Sequence, residues 1–172
     1  MSYTSLRAVG LMLLLLVLTG CNQSVDEQIK NGLQISKTDF AEKPEEHTDS
    51  VGDVELYLPS NFKVDDSSDA YNILVTKGKE SYILFINDRE DTDSKLYYNL
   101  LKDDSSKNII EENTYEKDGV FGFTAVSKTD NEDEFELIVN SGGVKMTTIS
   151  QAKHIEDNLH EMTKIVHSVK IK

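Results

Sequence analysis

Three groups of residues have the types and spacing for chemistry. His160-Glu161 opens like the zinc-protease motif, in which two histidines one helical turn apart flank a glutamate. The fifth position is Lys164, however, and His167 alone does not complete a ligand set. His154, His160 and His167 also fall off the apolar stripe of their segment, so solvent exposure is expected for all three. The second group is acidic: Asp88, Glu90, Asp91 and Asp93, and later Asp130, Glu132, Asp133 and Glu134. A helix–loop–helix calcium loop needs a glycine at its sixth position, which neither cluster supplies. Solvated turns are the expectation, with Asp88, Glu90, Asp91 and Asp93 as the stretch most suited to a cationic partner. The third is Cys21, the only cysteine, which leaves no thiol for a disulfide. Serines are plentiful, but none stands in a G-x-S-x-G elbow, and no phosphate-cradling loop occurs.

Cys21 has a context. Arg7 precedes an unbroken apolar run from Leu11 to Leu18, followed by the small residues Thr19 and Gly20. That order describes a secretory signal, and the run is too short for a spanning helix of about 20 residues. Leu18-Thr19-Gly20-Cys21 resembles the lipobox of bacterial lipoproteins. The resemblance implies that Cys21 takes a diacylglycerol group and becomes the N-terminus of the exported chain. Residues 1–20 are then a signal peptide, and two acyl chains, at about 0.8 kcal/mol per buried methylene, hold the protein on the exported face of the cell membrane. Whether that face is extracellular or periplasmic stays open.

From Cys21 onward, 31 acids meet 17 basic residues, a formal charge of −14. Nucleic acid is a polyanion and is disfavoured as a partner. Residues 88–134 hold fourteen acids and six basic residues, whereas residues 152–172 hold three and four, so the negative charge is concentrated in the middle segment.

The elements that must position these groups follow from periodicity. Residues 21–53 are polar, with scattered Ile29, Leu33, Ile35 and Phe40, and read as a lipid-anchored tether with a helical turn or two near Val25 to Leu33. One domain is expected over residues 54–172. Val54, Leu56 and Leu58 alternate as in a half-buried strand; Phe62–Val64, Tyr71–Thr76 and Ser81–Ile86 follow, the last two across a Gly78 hairpin. Tyr82 to Ile86 is continuously apolar, as in a central strand covered on both faces. Leu96, Tyr97, Leu100 and Leu101 predict a helix over Ser94–Lys102 with Asp93 as N-cap. Strands are expected at Ile109–Tyr115, Val120–Thr129, Glu134–Asn140 and Val144–Ser150, with turns at Asp118-Gly119 and Ser141-Gly142-Gly143. Ile155, Leu159, Met162 and Val166 stripe a helix over Gln151–His167, and Val169 and Ile171 suggest a closing strand. The order ββββ-α-ββββ-α-β predicts an α+β fold, an antiparallel β-sheet packed with two amphipathic helices. An all-β barrel with peripheral helices is the alternative, which the C-terminal stripe disfavours.

The opening Val54-Glu55-Leu56-Tyr57-Leu58-Pro59-Ser60-Asn61-Phe62-Lys63-Val64 and the long helix ending Ile165-Val166-His167-Ser168-Val169-Lys170-Ile171 resemble the PsbP-like superfamily, which includes the DcrB-type bacterial lipoproteins. Family openings often carry Trp where Phe62 stands, and this chain has no Trp. The resemblance implies a PsbP-like sandwich with an accessory or assembly role and supplies no catalytic residues. The expected function is that of a non-enzymatic, membrane-anchored envelope lipoprotein without cofactor or metal, binding another envelope protein or a small ligand. The alternative is an envelope hydrolase with dispersed catalytic residues.

Overall fold

The computed structural model describes residues 23–172. The signal segment and Cys21 lie outside the described residues. The first element corrects the tether. Helix α1, Val25–Ala41, starts from a capping box: Ser24 Oγ accepts from the Glu27 amide, and the Glu27 carboxylate accepts from the Ser24 amide at 2.9 Å. Asp26 and Glu27 in the first turn complement the helix dipole. Its buried face is Ile29, Gly32, Leu33, Ser36, Asp39 and Phe40. Half of that face is polar or small, which is why the segment reads as solvated from hydropathy.

Two antiparallel hairpin systems follow. A three-stranded sheet is formed by β1 (Asp49–Val51), β2 (Val54–Leu56) and the closing β10 (Lys170–Ile171), in the order β1-β2-β10. The main sheet has seven strands: β3 (Lys63–Val64), β4 (Asn72–Lys77), β5 (Glu80–Ile86), β6 (Asn108–Lys117), β7 (Val120–Lys128), β8 (Glu134–Ser141) and β9 (Val144–Gln151). They lie in the order β3-β4-β5-β9-β8-β7-β6, every neighbouring pair antiparallel. Helix α2 spans Leu96–Asp103. Helix α3 spans Ile155–Ser168, after one 3₁₀ turn at Ala152–His154. The fold is α+β, with three helices among the described residues where two were expected. From residue 54 onward the expected element order is the observed one.

The sheet has two unlike faces. On the inner face Ile73, Val75, Tyr82, Leu84, Leu137, Val139 and Met146 are buried beneath Ile155, Leu159, Met162 and Val166 of α3. Ile29 and Leu33 of α1 complete that core. The two helices run parallel, since their contacts advance together. Gln28 Oε1 accepts from the Glu156 amide at 3.2 Å, Ser36 Oγ donates to the Leu159 carbonyl at 3.4 Å, and Phe40 stacks on His167 with ring centroids 4.9 Å apart. A Cβ on Gly32 would sit 2.8 Å from Leu159 Cδ1, so the close approach depends on glycine there.

On the outer face α2 places Tyr97 and Leu101 on Phe121, Phe123, Ala125 and Ile138, making a second, smaller core over β7 and β8. This cover is partial. Ile83 of β5 is 51% exposed, which corrects the expectation that Tyr82–Ile86 is covered on both faces. An apolar run reports burial on average and does not reveal that alternate residues lie outside.

Candidate functional site

The uncovered part of the outer face is where β4, β5 and β9 run past the edge of α2. Register puts Leu74, Ile83 and Thr147 side by side, with Phe85 opposite Lys145. Ile149 on β9 is 49% exposed, and Leu100, projecting from α2, is 55% exposed. Between α2 and β9 lies a cleft of about 150 Å³, whose walls include Tyr97, Leu100, Lys107, Glu136, Lys145 and Thr147. Lys145 Nζ lies 4.9 Å from the Tyr97 ring centroid and 6.0 Å from that of Phe85, within cation–π range. Burial pulls its ammonium below the usual lysine range, Glu136 opposes that shift and Lys107 adds to it. The signal for this site was present in Val144–Ser150. Alternation places Lys145, Thr147 and Ile149 on one face, but the aromatic neighbours come from distant segments.

The acidic loop Asp88, Glu90, Asp91 and Asp93 stands at one end of the same sheet, fastened to two hairpin tips. The Asn87 amide donates to the Gly143 carbonyl at 2.9 Å, the Phe121 amide to the Thr92 carbonyl at 2.9 Å, and Thr92 Oγ1 to the Gly119 carbonyl at 3.0 Å. Gly142 holds φ +54°, and a Cβ on Gly143 would lie 2.3 Å from the Asn87 carbonyl oxygen, so this hairpin needs both glycines. Asp88, Asp91 and Asp93 are exposed, while Glu90 is half-buried and accepts from Ser94 Oγ. Asp93 does not cap α2. The helix begins at Leu96, with Lys95 in the cap position, and the Leu96 amide donates to Ser94 Oγ instead. Among the described residues no group of three or more His, Cys, Asp or Glu side chains is placed to hold a metal ion.

The three histidines expected in solvent are half-buried and engaged. His154 Nδ1 lies 2.9 Å from Glu80 Oε1, and His160 Nδ1 lies 2.7 Å from Asp39 Oδ2. For His160 and His167 the reason is α1, whose docking turns a helix flank that reads as exposed into an interface, whereas His154, in the 3₁₀ turn, meets the β5 strand through Glu80. Burial raises the Asp39 carboxyl, against the lowering effect of His160, and burial lowers His167 on the Phe40 ring. For His167 the unfolded chain takes the proton more readily, so this group withdraws stability as pH falls below the ordinary histidine range.

The richest polar assembly escaped sequence reasoning. Tyr82, fully buried, has its hydroxyl 2.8 Å from Glu80 Oε2 and 2.9 Å from Asn158 Oδ1. Lys77 Nζ donates to the same Asn158 oxygen at 2.8 Å and to Glu161 Oε2 at 2.5 Å, and Asn158 Nδ2 donates to Ser150 Oγ at 3.0 Å. Burial and the Glu80 carboxylate push the Tyr82 phenol far above its usual range. A carboxylate, a histidine, a tyrosine and a lysine together are the ingredients of acid–base chemistry. Here each is turned to another, and together they staple the β4–β5 hairpin to α3.

No protein-family model matches the chain, and no curated protein matches it. Among solved structures the chain is similar to the solution structure of cyanobacterial PsbP (CyanoP) from Synechocystis sp., at 15% identity. The match covers 70% of this chain and 87% of that one, with a TM-score of 0.43.

Proposed function

We propose that this chain is a lipid-anchored envelope protein, held at the exported face of the cell membrane through Cys21, whose domain binds another envelope protein and performs no chemistry of its own. The observation that carries the reading is the open half of the outer sheet face. Ile83, Ile149 and Leu100 are each about half exposed beside one another's elements, while the inner face is closed by two helices. Contiguous exposed apolar surface rimmed by polar residues marks interaction sites. The exposed carboxylates of Asp88, Asp91 and Asp93 near that face steer a partner carrying positive charge, an effect of rate that salt screens over about 8–10 Å. The alternative, a hydrolase with dispersed residues, finds its best assembly in the Tyr82 network, whose polar groups are occupied by one another.

Two outcomes are expected. Cells fed a fatty-acid analogue label the wild-type chain and not Cys21→Ser; an unlabelled wild type overturns the anchor. The double variant Ile83→Glu with Ile149→Glu melts close to wild type, since surface changes stay within about 0.5 kcal/mol each. It loses the discrete adduct that short crosslinkers form in membranes. An adduct undiminished in a folded double variant overturns the face as docking surface.

A further inference from the structure

We infer that the cleft between α2 and β9 receives a carboxylate side chain of the partner protein, taken by Lys145 with its aliphatic stem against Leu100 and Thr147, the latter beside Ile83 on the sheet. The inference rests on the proposed partner-binding face and adds the chemistry that this face reads.

The anomaly is Lys145 itself. In a chain with 31 acids and 18 basic residues, a half-buried ammonium should have found a carboxylate. Lys77, Lys95, Lys102, Lys107, Lys164 and Lys172 each lie within 4 Å of one; Lys145 does not, among the described residues. The acids of its own cleft are committed elsewhere. Glu136 pairs with Lys107 at 2.5 Å, and Asp104 Oδ1 accepts from the Ser106 amide at 2.9 Å and from Ser106 Oγ at 2.6 Å. What Lys145 has instead are the faces of Tyr97 and Phe85, which stabilise a cation without consuming its hydrogen-bond donors.

Size decides between a small-molecule site and a side-chain socket. Small-molecule pockets run to about 300–1,000 Å³. The cleft here, at about 150 Å³, suits one side chain delivered by a larger partner. The ammonium is already stripped of part of its water, so a carboxylate arriving there gains more than it would at an exposed lysine. Thr147, across the strand pair from Ile83, has its side chain on the same wall and offers a hydroxyl as second donor.

Butyrate serves as the probe, because it carries a carboxylate on a stem like that of glutamate; butanol is its neutral control. Titrations of the chain from Gln23 onward are followed by NMR at the methyls of Ile83 and Leu100 and at the Lys145 side chain. Butyrate is expected to move these signals saturably, Lys145→Gln to weaken its midpoint about tenfold or more, and Lys145→Arg to retain it. Butanol acting as well as butyrate, or a midpoint unchanged in a folded Lys145→Gln chain, overturns the inference. Butyrate shifts confined to other regions overturn it equally. The larger reading fails separately: crosslinking in membranes that survives Lys145→Gln leaves the face in place and removes only the carboxylate. Loss of crosslinking in Ile83→Glu with Ile149→Glu but not in Lys145→Gln has the same meaning.

Discussion

A chain that begins at Asp49 loses its cooperative melt, whereas one that begins at Gln23 keeps it. Helix α1 buries Ile29, Leu33 and Phe40, and full burial of such side chains is worth about 1.5–3 kcal/mol each. Three of them approach the whole net stability of a typical domain, about 5–15 kcal/mol. Removing α1 also uncovers Leu159 on α3, and it strips His160 of Asp39 and His167 of the Phe40 ring. The expected outcome is a broad thermal transition with weakened near-ultraviolet circular dichroism for the shorter chain. Two sharp melts within a few degrees of each other would mean that α1 is a tether after all.

The second large effect separates neighbours on α3. Leu159→Ala deletes a side chain that is fully buried between the sheet and α1, at a cost of about 2–5 kcal/mol by denaturant unfolding. His160→Ala, one position around the helix, is expected to cost about 1–3 kcal/mol. It leaves Asp39, only 8% exposed, without its hydrogen-bond partner. Asp39→Asn in the His160→Ala background recovers part of that loss, since the two substitutions share one interaction. A His160→Ala chain as stable as wild type would place His160 in solvent and remove the α1–α3 pairing from the account.

These predictions divide along the line of what the residues disclosed. Strands from Val54 onward announce themselves by alternation and by glycine turns, and α3 by the spacing of Ile155, Leu159, Met162 and Val166. Helix α1 was hidden because Gly32, Ser36 and Asp39 lie on its buried face. Gly32 is there for close approach to Leu159, Ser36 to reach a carbonyl and Asp39 to meet His160, and none of these roles raises hydropathy. Sequence-based phase placed the histidines off the α3 core stripe, but His160 and His167 face α1 and His154 meets Glu80, so none of the three is left to water alone. The Lys145 cleft was out of reach for another reason. A lysine alternating with apolar residues is what any solvated strand face carries, and only the fold brings Tyr97 and Phe85 to it from segments 48 and 60 residues earlier. The acidic loop was legible as a charged turn, but not its attachment to two hairpin tips, which is made by backbone groups and the Thr92 hydroxyl.

In the function proposed above, a partner covers the open sheet face of the membrane-anchored protein. A photocrosslinking residue at position 83 of the full chain, compared in intact cells with the same residue at position 37, decides whether it does. Lys37 is exposed on α1, away from the outer face. Position 83 is expected to give one dominant adduct of defined mass and position 37 none of that mass. No adduct from position 83, or the same adducts from both positions, would mean that no specific partner covers this face.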